Sequence, residues 1–524
     1  MPTMQRTRLY ADPHGRFVHD LVLESCQRFP EKTAVIDSSC GRRISYSEYG
    51  DLVRTLARGL VAAGLRPGEI VAIYLANSWE FCVTYHAATL VGAIPTLLNP
   101  SYREREVRYQ LENSGAVFQV TDGPLIQHIN LAGVACLRRV YTTRTHGSGL
   151  EFSRLLAPVS NALPETSDSP EKIVAALPYS SGTTGLPKGV MLSHYNLVAN
   201  VYQIIGPHAA PLRVHDVLLC FLPLYHIYGL NVALNPVLIE GGTLVLMPRF
   251  DVTQVTQLMV QESISCMLTV PPVLNALSQA AEAGRFPRDH VVRWVKSGAA
   301  PLAPELARRF TALTGIPICQ GYGMTEASPV THIGYLEPEL YRPDSIGQPL
   351  AATDCRVLDA NERDVPPGEP GELVMRGPQF MLGYWKEAQA TAAVLRDGWY
   401  WSGDIVSRDQ QDFYYVLDRR KEMIKYKGFP VAPAEVEAVL LEHPAVRDCG
   451  VVARPDDAAG EIPCAFIVLR DDSQASDRMK TELCGFVAER LTAYKQPREV
   501  RFVDAVPRTP SGKILRRELR KTLV

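Results

Sequence analysis

Apolar segments of strand length alternate with helical patterns along much of the chain. Ile70–Leu75 is a continuous apolar run, a helical pattern follows from about Trp79, and Ile94–Leu98 is a second short apolar run. Strands joined through a helix run parallel, and continuous apolar strands are buried on both faces. The same rhythm returns from Ile173 to about Gln320. The sequence therefore predicts an α/β fold with parallel sheets covered by helices.

The pattern changes between Tyr341 and Ser407, where short apolar segments are separated by turn sequences such as PPGEPGE. These segments predict antiparallel strands, and we expect a small β-barrel-like subdomain there. A charged segment, DRRKEMIKYKG, begins at Asp418 and is followed by mixed helical and strand patterns. We expect a domain boundary at this point. Residues 1–417 would form a large N-terminal domain of layered α/β subdomains, and residues 418–524 a small α+β domain.

Composition and charge exclude several classes of protein. The 54 Lys and Arg residues nearly balance 56 Asp and Glu residues, whereas a dedicated nucleic-acid binder usually has a strong basic excess. The 11 cysteines form no CxxC pair, which predicts free thiols in a reducing compartment and hence a cytoplasmic protein. The most apolar stretch, 217–247, is interrupted by Pro, His, Asn and Glu, so we expect no membrane span.

The segment YSSGTTGLPKG, residues 179–189, carries the strongest chemical signal. It follows the apolar run Ile173–Leu177 and precedes a helical pattern that begins near His194. Glycines let backbone N–H groups turn inward, hydroxyls add donors and Lys188 adds positive charge, a combination that suits a triphosphate. The segment does not fit the Walker A pattern. The alternative interpretation, an exposed polar loop, is disfavoured by its length and composition.

This segment resembles the phosphate loop of the adenylate-forming superfamily, which includes acyl-CoA ligases, peptide-synthetase adenylation domains and firefly-type luciferases. Further segments resemble the other motifs of that superfamily, in its order: Leu222–Gly229, Ser297–Leu302, Gln320–Ala327, Trp401–Asp404, Asp418–Gly428 and Pro510–Lys513. The resemblance covers nearly the whole chain and is strongest to 4-coumarate–CoA ligases and related fatty acyl-CoA ligases. It implies an N-terminal domain that binds ATP and the acid, and a mobile C-terminal lid domain that carries a catalytic lysine.

The resemblance implies an acid–CoA ligase. Such an enzyme joins a carboxylic acid to ATP, giving an acyl-adenylate and pyrophosphate, and then transfers the acyl group to the thiol of CoA. The first step brings an anion against a polyanion and needs cations, including Mg²⁺, placed in advance. The expected substrate is a cinnamate-like aromatic acid or a medium-chain fatty acid, so the partners are ATP, CoA and a small acid. Oligomeric state stays open, with a homodimer as one option.

Three residues match positions that carry chemistry in the superfamily. Lys513 would bridge the carboxylate and the α-phosphate, although it could also be a solvated lysine of a basic segment. Glu326 would bind Mg²⁺, with Thr184 or Thr325 nearby, although it could also be a carboxylate at a helix start. His226 would orient the acid between its pocket and the thiol channel, although a lone histidine among apolar residues is commonly a core residue.

The resemblance also assigns residues to the nucleotide and to CoA. Those matching phosphate-loop positions are Ser180, Ser181, Gly182, Thr183, Thr184 and Lys188. Tyr322, Gly298 and Ala299 match positions around adenine, and Asp404 and Arg419 match positions at the ribose. Gln320, Gly321 and Thr325 match further nucleotide-binding positions. Lys421 and Lys425 match lysines near the adenylate, and Arg249, Lys427 and Gly428 match the CoA channel. Two departures stand out: Ser402 replaces a usual Thr, and Pro430 replaces a Gln found in many relatives, which puts one adenylate contact in doubt.

The acid pocket would be walled by Tyr228, Val232, Gly323, Pro329 and Val330. Val232 stands where coumarate ligases carry a Ser near the phenol of the substrate. A valine cannot hydrogen-bond a ring hydroxyl, so this position favours an apolar tail over a hydroxycinnamate.

Two other functions remain open from the sequence. One is an enzyme that transfers the acyl group to a carrier protein or oxidises the adenylate, and the other is a catalytically inactive nucleotide-binding relative. The presence of Lys188, Glu326, Asp404 and Lys513 argues against an inactive protein. Arg249 and the Lys427-Gly428 pair favour CoA over a carrier protein.

Overall fold

The fold comes from a computed structural model, which describes residues 9–144, 149–164, 168–180, 186–206, 212–419, 422–426, 429–456, 459–491, 493–509 and 512–523. It is a mixed α/β fold with a large N-terminal part and a small C-terminal part, which confirms the predicted fold class. The described α-helices are Val18–Arg28, Tyr46–Ala62, Trp79–Leu90, Glu104–Ser114, Gly123–Ile126, His194–Ile205, Asn235–Glu240, Val252–Gln261, Pro271–Glu282, Pro304–Thr314, Ala388–Val394, Pro433–Leu441, Asp477–Ala488 and Arg516–Lys521.

A nine-stranded sheet forms one layer of the large part. In spatial order its strands are Gln348–Pro349, Val330–Ile333, Ile318–Gly323, Trp294–Ser297, Cys266–Thr269, Val217–Cys220, Thr243–Leu246, Thr33–Asp37 and Arg42–Ser45. The strands from Ile318–Gly323 across to Thr33–Asp37 run parallel to one another. This arrangement confirms the parallel pairing predicted from the alternating pattern.

An eight-stranded sheet forms the second layer. In spatial order its strands are Gly383–Tyr384, Lys188–Ser193, Val174–Ser180, Ile94–Leu97, Ile70–Tyr74, Phe118–Thr121, Arg139–Thr142 and Leu150–Glu151. The predicted helix after the Gly/Ser/Thr-rich segment begins at His194, but a strand, Lys188–Ser193, comes first. That strand pairs antiparallel with Val174–Ser180. The segment therefore connects two strands of a hairpin, and no helix N-terminus follows it directly.

The region between Tyr341 and Ser407 contains the predicted antiparallel strands. Asp354–Leu358, Gly371–Arg376, Leu395–Arg396, Trp399–Arg408 and Tyr414–Arg419 form a five-stranded antiparallel sheet. The long strand Trp399–Arg408 pairs with three of the others, and it carries Asp404, which contacts Tyr322 of the nine-stranded sheet.

The C-terminal part has a sheet and an apolar core of its own. Its strands are Phe429–Val431, Ile424–Tyr426, Gly460–Leu469 and Val446–Asp456 in spatial order, and Glu499–Phe502 pairs with Gly460–Leu469. The core around this sheet forms a cluster separate from that of the large part. A boundary at Asp418 would fall just before this unit and stays a prediction. Within the described residues, no helix combines the length and apolar character that crossing a bilayer requires.

Candidate active site

The carboxyl edge of the nine-stranded sheet brings together the predicted adenine residues. Gly298 directly follows the strand Trp294–Ser297, and Tyr322 lies near the end of the neighbouring parallel strand Ile318–Gly323. The backbone N–H of Gly298 donates to the carbonyl of Thr269, 3.1 Å away, at the end of the next strand. Parallel strands end at the same edge of a sheet, so these positions border one crevice.

The rest of this group surrounds the same edge. Ala299 is exposed with a φ of 65°, in the left-handed region, and thus turns the chain away from the strand. Gln320 is buried, with its side-chain oxygen accepting from Leu302 N at 3.4 Å, and Gly321 pairs with Ile333 in the next strand. Thr325 begins a short 3₁₀ turn, Thr325–Ala327.

Tyr228 fills the space beside Gly298. A Cβ atom added to Gly298 would lie 3.1 Å from Cζ of the Tyr228 ring, so any larger residue there would displace the ring. The Tyr228 hydroxyl donates toward the carbonyl of Lys296, 3.3 Å away, and burial raises the pKa of this phenol well above its usual range. The ring of Tyr228 therefore packs against the backbone at Gly298, where the predicted acid pocket would adjoin the crevice.

The other predicted wall residues of the acid pocket lie close together, with Gly323 exposed and Pro329, Val330 and Val232 buried. A Cβ atom on Gly323 would lie 2.0 Å from the carbonyl oxygen of Pro329, so the backbone approach requires a glycine. Val330 and Val232 are 8% and 5% exposed. Asn231, next to Val232, donates to the carbonyl of Ser328 at 2.6 Å and so places the two wall segments side by side.

Two asparagines of this wall were missed by the sequence analysis. Asn200 accepts from Val330 N at 3.1 Å and donates to Val330 O at 2.8 Å, as a neighbouring strand would. Asn231 forms the bond to Ser328 described above. Both are fully buried, and their only signal in the sequence is a polar residue at an apolar helical position.

His226 is half-buried and uncharged near neutral pH. Burial lowers its pKa to about 4, because an imidazolium cannot be solvated there. The backbone N–H of Tyr228 donates to Nδ1 at 3.1 Å, so the neutral ring carries its proton on Nε2. His226 can therefore offer one N–H to a substrate oxygen, as the orienting role requires.

Glu326 joins three segments of the predicted phosphate site. Its Oε1 accepts from the Ser180 hydroxyl at 3.2 Å and from the Tyr384 hydroxyl at 2.7 Å. Lys188 Nζ lies 5.4 Å from the centre of the Tyr384 ring. The structure thus groups Ser180, Lys188 and Glu326, whereas Ser181, Gly182, Thr183 and Thr184 lie outside the described residues. Tyr384 was missed by the sequence analysis.

The donor set around Glu326 suits a hard cation. Glu326 is 8% exposed and presents a carboxylate among hydroxyl groups. Carboxylate and hydroxyl oxygens, completed by phosphate oxygens, are the ligands that Mg²⁺ takes in nucleotide enzymes. Glu326 and its hydroxyl neighbours therefore fit the ion that the resemblance implies.

Asp404 faces the predicted adenine residue Tyr322. The Tyr322 hydroxyl donates to Asp404, which is 4% exposed. Ser402 holds the backbone at Asp404, since its hydroxyl accepts from Asp404 N at 3.1 Å and donates to Leu373 O at 2.6 Å. The Thr-to-Ser departure therefore keeps the supporting hydroxyl. Arg419 lies opposite Asp404 in the strand register.

Lys513 lies in a turn that contacts the large part of the chain. Lys513 N donates to the Thr509 hydroxyl at 3.0 Å, and Thr509 N donates to Lys513 O at 2.8 Å. Gly512 has a φ of 85°, and a Cβ atom there would lie 3.2 Å from Cδ of Pro272. Pro272 is the second residue of the helix Pro271–Glu282, which follows the strand Cys266–Thr269. The turn with Lys513 thus sits at the same sheet edge as Gly298.

The structure does not group the residues expected near the adenylate and CoA with the rest of the site. Arg249 and Lys425 are exposed, and within the described residues neither side chain bonds to the groups above. The backbone N–H of Lys425 donates to Glu461 at 2.7 Å. Lys421, Lys427 and Gly428 lie outside the described residues, as do the side chains of Arg419 and Pro430.

The fold and the grouped residues define a nucleotide-binding, adenylate-forming enzyme. The chain belongs to the AMP-binding enzyme family: residues 22–385 match the AMP-binding enzyme domain and residues 435–513 match the AMP-binding enzyme C-terminal domain. It is similar to 4-coumarate–CoA ligase 5 of Oryza sativa subsp. japonica, with 38% identity over 99% of this chain and 97% of that protein.

Solved structures give the same result. The ATP-bound structure of MatB from Rhodopseudomonas palustris has a TM-score of 0.88 at 29% identity, over 97% of this chain and 99% of that one. A benzoate CoA ligase from Burkholderia xenovorans LB400 has a TM-score of 0.87 at 26% identity, over 96% of this chain and 100% of that one. The predicted family and fold are thereby confirmed.

Proposed function

We propose that the chain is an AMP-forming acid–CoA ligase. A carboxylate oxygen attacks the α-phosphorus of ATP and pyrophosphate leaves, giving an acyl-adenylate. The sulfur of CoA then attacks the acyl carbon, AMP leaves and the thiol loses its proton. The observation that supports this proposal is the close approach of Gly512 to Pro272, which puts the turn that carries Lys513 at the same sheet edge as Gly298.

Cations and one neutral imidazole would serve the first step. Lys513 would stabilise charge at the α-phosphate, and Lys188 would neutralise the departing phosphates. Glu326, with Thr184 and Ser180, would hold Mg²⁺, which when bound neutralises further phosphate charge. His226 would donate its Nε2 proton to one acid oxygen and so leave the other free to attack. Asp404 would accept from the ribose hydroxyls.

The acid pocket supports an apolar substrate. Val232 and Val330 contribute buried apolar surface, and the single hydroxyl proton of Tyr228 is directed to a backbone carbonyl. No donor among these wall side chains would serve a ring hydroxyl. We therefore infer a cinnamate-like aromatic acid or a medium-chain fatty acid, although the similar plant proteins bear the name of 4-coumarate.

The C-terminal unit would act as a lid. The charged segment from Asp418 would let it turn between the two half-reactions, with Lys513 at the crevice only for adenylation. Arg249 and the Lys427-Gly428 pair would contact CoA once the lid has turned. The eleven cysteines are free thiols, which supports a reducing compartment such as the cytoplasm.

A panel of carboxylic acids tests this proposal. Pyrophosphate release and CoA-thioester formation are measured for each acid, with and without CoA and with and without Mg²⁺. We expect both products for at least one apolar acid. Pyrophosphate release without a thioester for every adenylated acid would favour transfer to a carrier protein or oxidation of the adenylate, and no product with any acid would favour an inactive relative.

A further inference from the structure

We propose that Tyr384 is a positioning residue that keeps Lys188 and Glu326 apart, so that both charges stay available to Mg²⁺ and ATP. This inference rests on the proposed function and adds a residue to its phosphate site. Tyr384 lies on a two-residue strand far along the chain from both partners, and its hydroxyl and its ring have different neighbours.

Strand pairing places the tyrosine beside the hairpin. Ser180 lies opposite Lys188 in the hairpin, and Val190 lies opposite Tyr384 on the other side of the same strand. Lys188 and Val190 are two residues apart and therefore point to the same face of the sheet. Tyr384 is then the diagonal neighbour of Lys188 on that face, within reach of a long side chain.

The ring of Tyr384 contacts the ammonium group of Lys188, and its hydroxyl contacts the carboxylate of Glu326. The ring lies beside the ammonium, with Lys188 Nζ 5.4 Å from its centre, a cation–π distance. The hydroxyl donates to Glu326 Oε1 at 2.7 Å. Among the residues that the structure describes, Lys188 and Glu326 form no ion pair with each other. One neutral side chain thus occupies the place where the two charges would otherwise meet.

The separation has a chemical consequence. A direct ion pair between Lys188 and Glu326 would compete with the binding of phosphate by the lysine and of Mg²⁺ by the carboxylate. With Tyr384 between them, its hydroxyl and that of Ser180 both bind Oε1. The two hydroxyl bonds orient the carboxylate before any ligand arrives, and Lys188, unpaired with Glu326, stays available to phosphate.

Binding measurements separate the hydroxyl from the ring. The affinity for ATP is measured by calorimetry on the full chain, once with EDTA and once with saturating Mg²⁺, without any acid. The ratio of the two dissociation constants gives the gain in affinity due to Mg²⁺. Variants are Tyr384→Phe, which keeps the ring, and Tyr384→Leu, which removes both. Tyr335→Phe is the matched control, since it removes a hydroxyl that donates to Gln348 at 2.7 Å.

For Tyr384→Phe we expect an unchanged affinity in EDTA and a gain from Mg²⁺ that falls about tenfold or more, since a hydrogen bond to a charged group is lost. Tyr384→Leu should weaken ATP binding in both conditions, because Lys188 can then pair with Glu326. Tyr335→Phe should change neither. An unchanged gain in Tyr384→Phe, or an equal loss with and without Mg²⁺, would overturn the positioning role. Failure of the wild type to bind ATP at all would instead refute the proposed function.

Discussion

The substitution Val232→Ser tests which acid the pocket prefers. Val232 is 5% exposed and lies on the segment joined to the opposite wall through Asn231. A substrate phenol placed against it would lose a water partner, at a cost of about 1–3 kcal/mol. At 1.4 kcal/mol per tenfold, the wild type should prefer cinnamate over 4-coumarate by roughly 5- to 150-fold in kcat/KM.

A serine at this position restores a hydrogen-bonding group. One new bond is worth about 1 kcal/mol, so the ratio of kcat/KM should shift roughly fivefold toward 4-coumarate. The substitution also removes buried apolar surface and should destabilise the protein by about 1–2 kcal/mol. Val201→Ser is the control for that loss, because Val201 is fully buried in a separate cluster with Val18.

The assay compares kcat/KM for cinnamate and 4-coumarate in the wild type, Val232→Ser and Val201→Ser. The control should lose stability without a change in the ratio. A wild-type preference for 4-coumarate that Val232→Ser leaves unchanged would show that Val232 does not line the pocket near the ring.

Three further predictions concern the lysine, the shared wall and pH. Lys513→Ala should slow adenylation by about 10²–10³-fold but spare thioester formation from a supplied acyl-adenylate, and equal loss in both half-reactions would contradict the turning lid. Gly298→Ala should displace the Tyr228 ring, since its Cβ atom would lie 3.1 Å from Cζ, and raise KM for the acid; an unchanged KM would refute the contact. Burial lowers the pKa of His86 and His226 to about 4, so between pH 6.5 and 4 the unfolded chain binds more protons than the folded one. The free energy of unfolding should therefore fall as pH falls through that range, by about 1 kcal/mol per pH unit for each histidine, and a flat denaturation profile would contradict this.

Local patterns predicted the elements that depend on local sequence. The helix Trp79–Leu90 and the strand Ile94–Leu97 were both expected, because a buried helix and a buried parallel strand leave continuous apolar runs of different lengths. The strand Lys188–Ser193 was missed, since it is short and follows a loop-like segment without a break. The helix expected from about His194 does begin there, but the strand lies between it and the Gly/Ser/Thr-rich segment.

Contacts between residues far apart in the chain could not be predicted from the sequence. Tyr384 reaches Glu326 only because a two-residue strand pairs with the hairpin, and nothing near Tyr384 indicates that pairing. The bonds of Asn200 to Val330 were unpredictable for the same reason, because they depend on how a helix packs against a distant strand. By contrast, Lys188 and Asp404 were found from their motifs. Their functional roles, like the boundary at Asp418, remain predictions.

The ring of Tyr228 limits how this enzyme could be redesigned for bulkier acids. Shortening the ring would enlarge the acid side, but it would also open space beside Gly298, where the nucleotide is expected. A variant with Tyr228 trimmed should thus gain new acids and lose affinity for ATP together. Val330 is a predicted wall residue whose backbone is bonded to Asn200, so we expect a library that varies Val330 and Val232 to change the acid preference with little effect on ATP affinity.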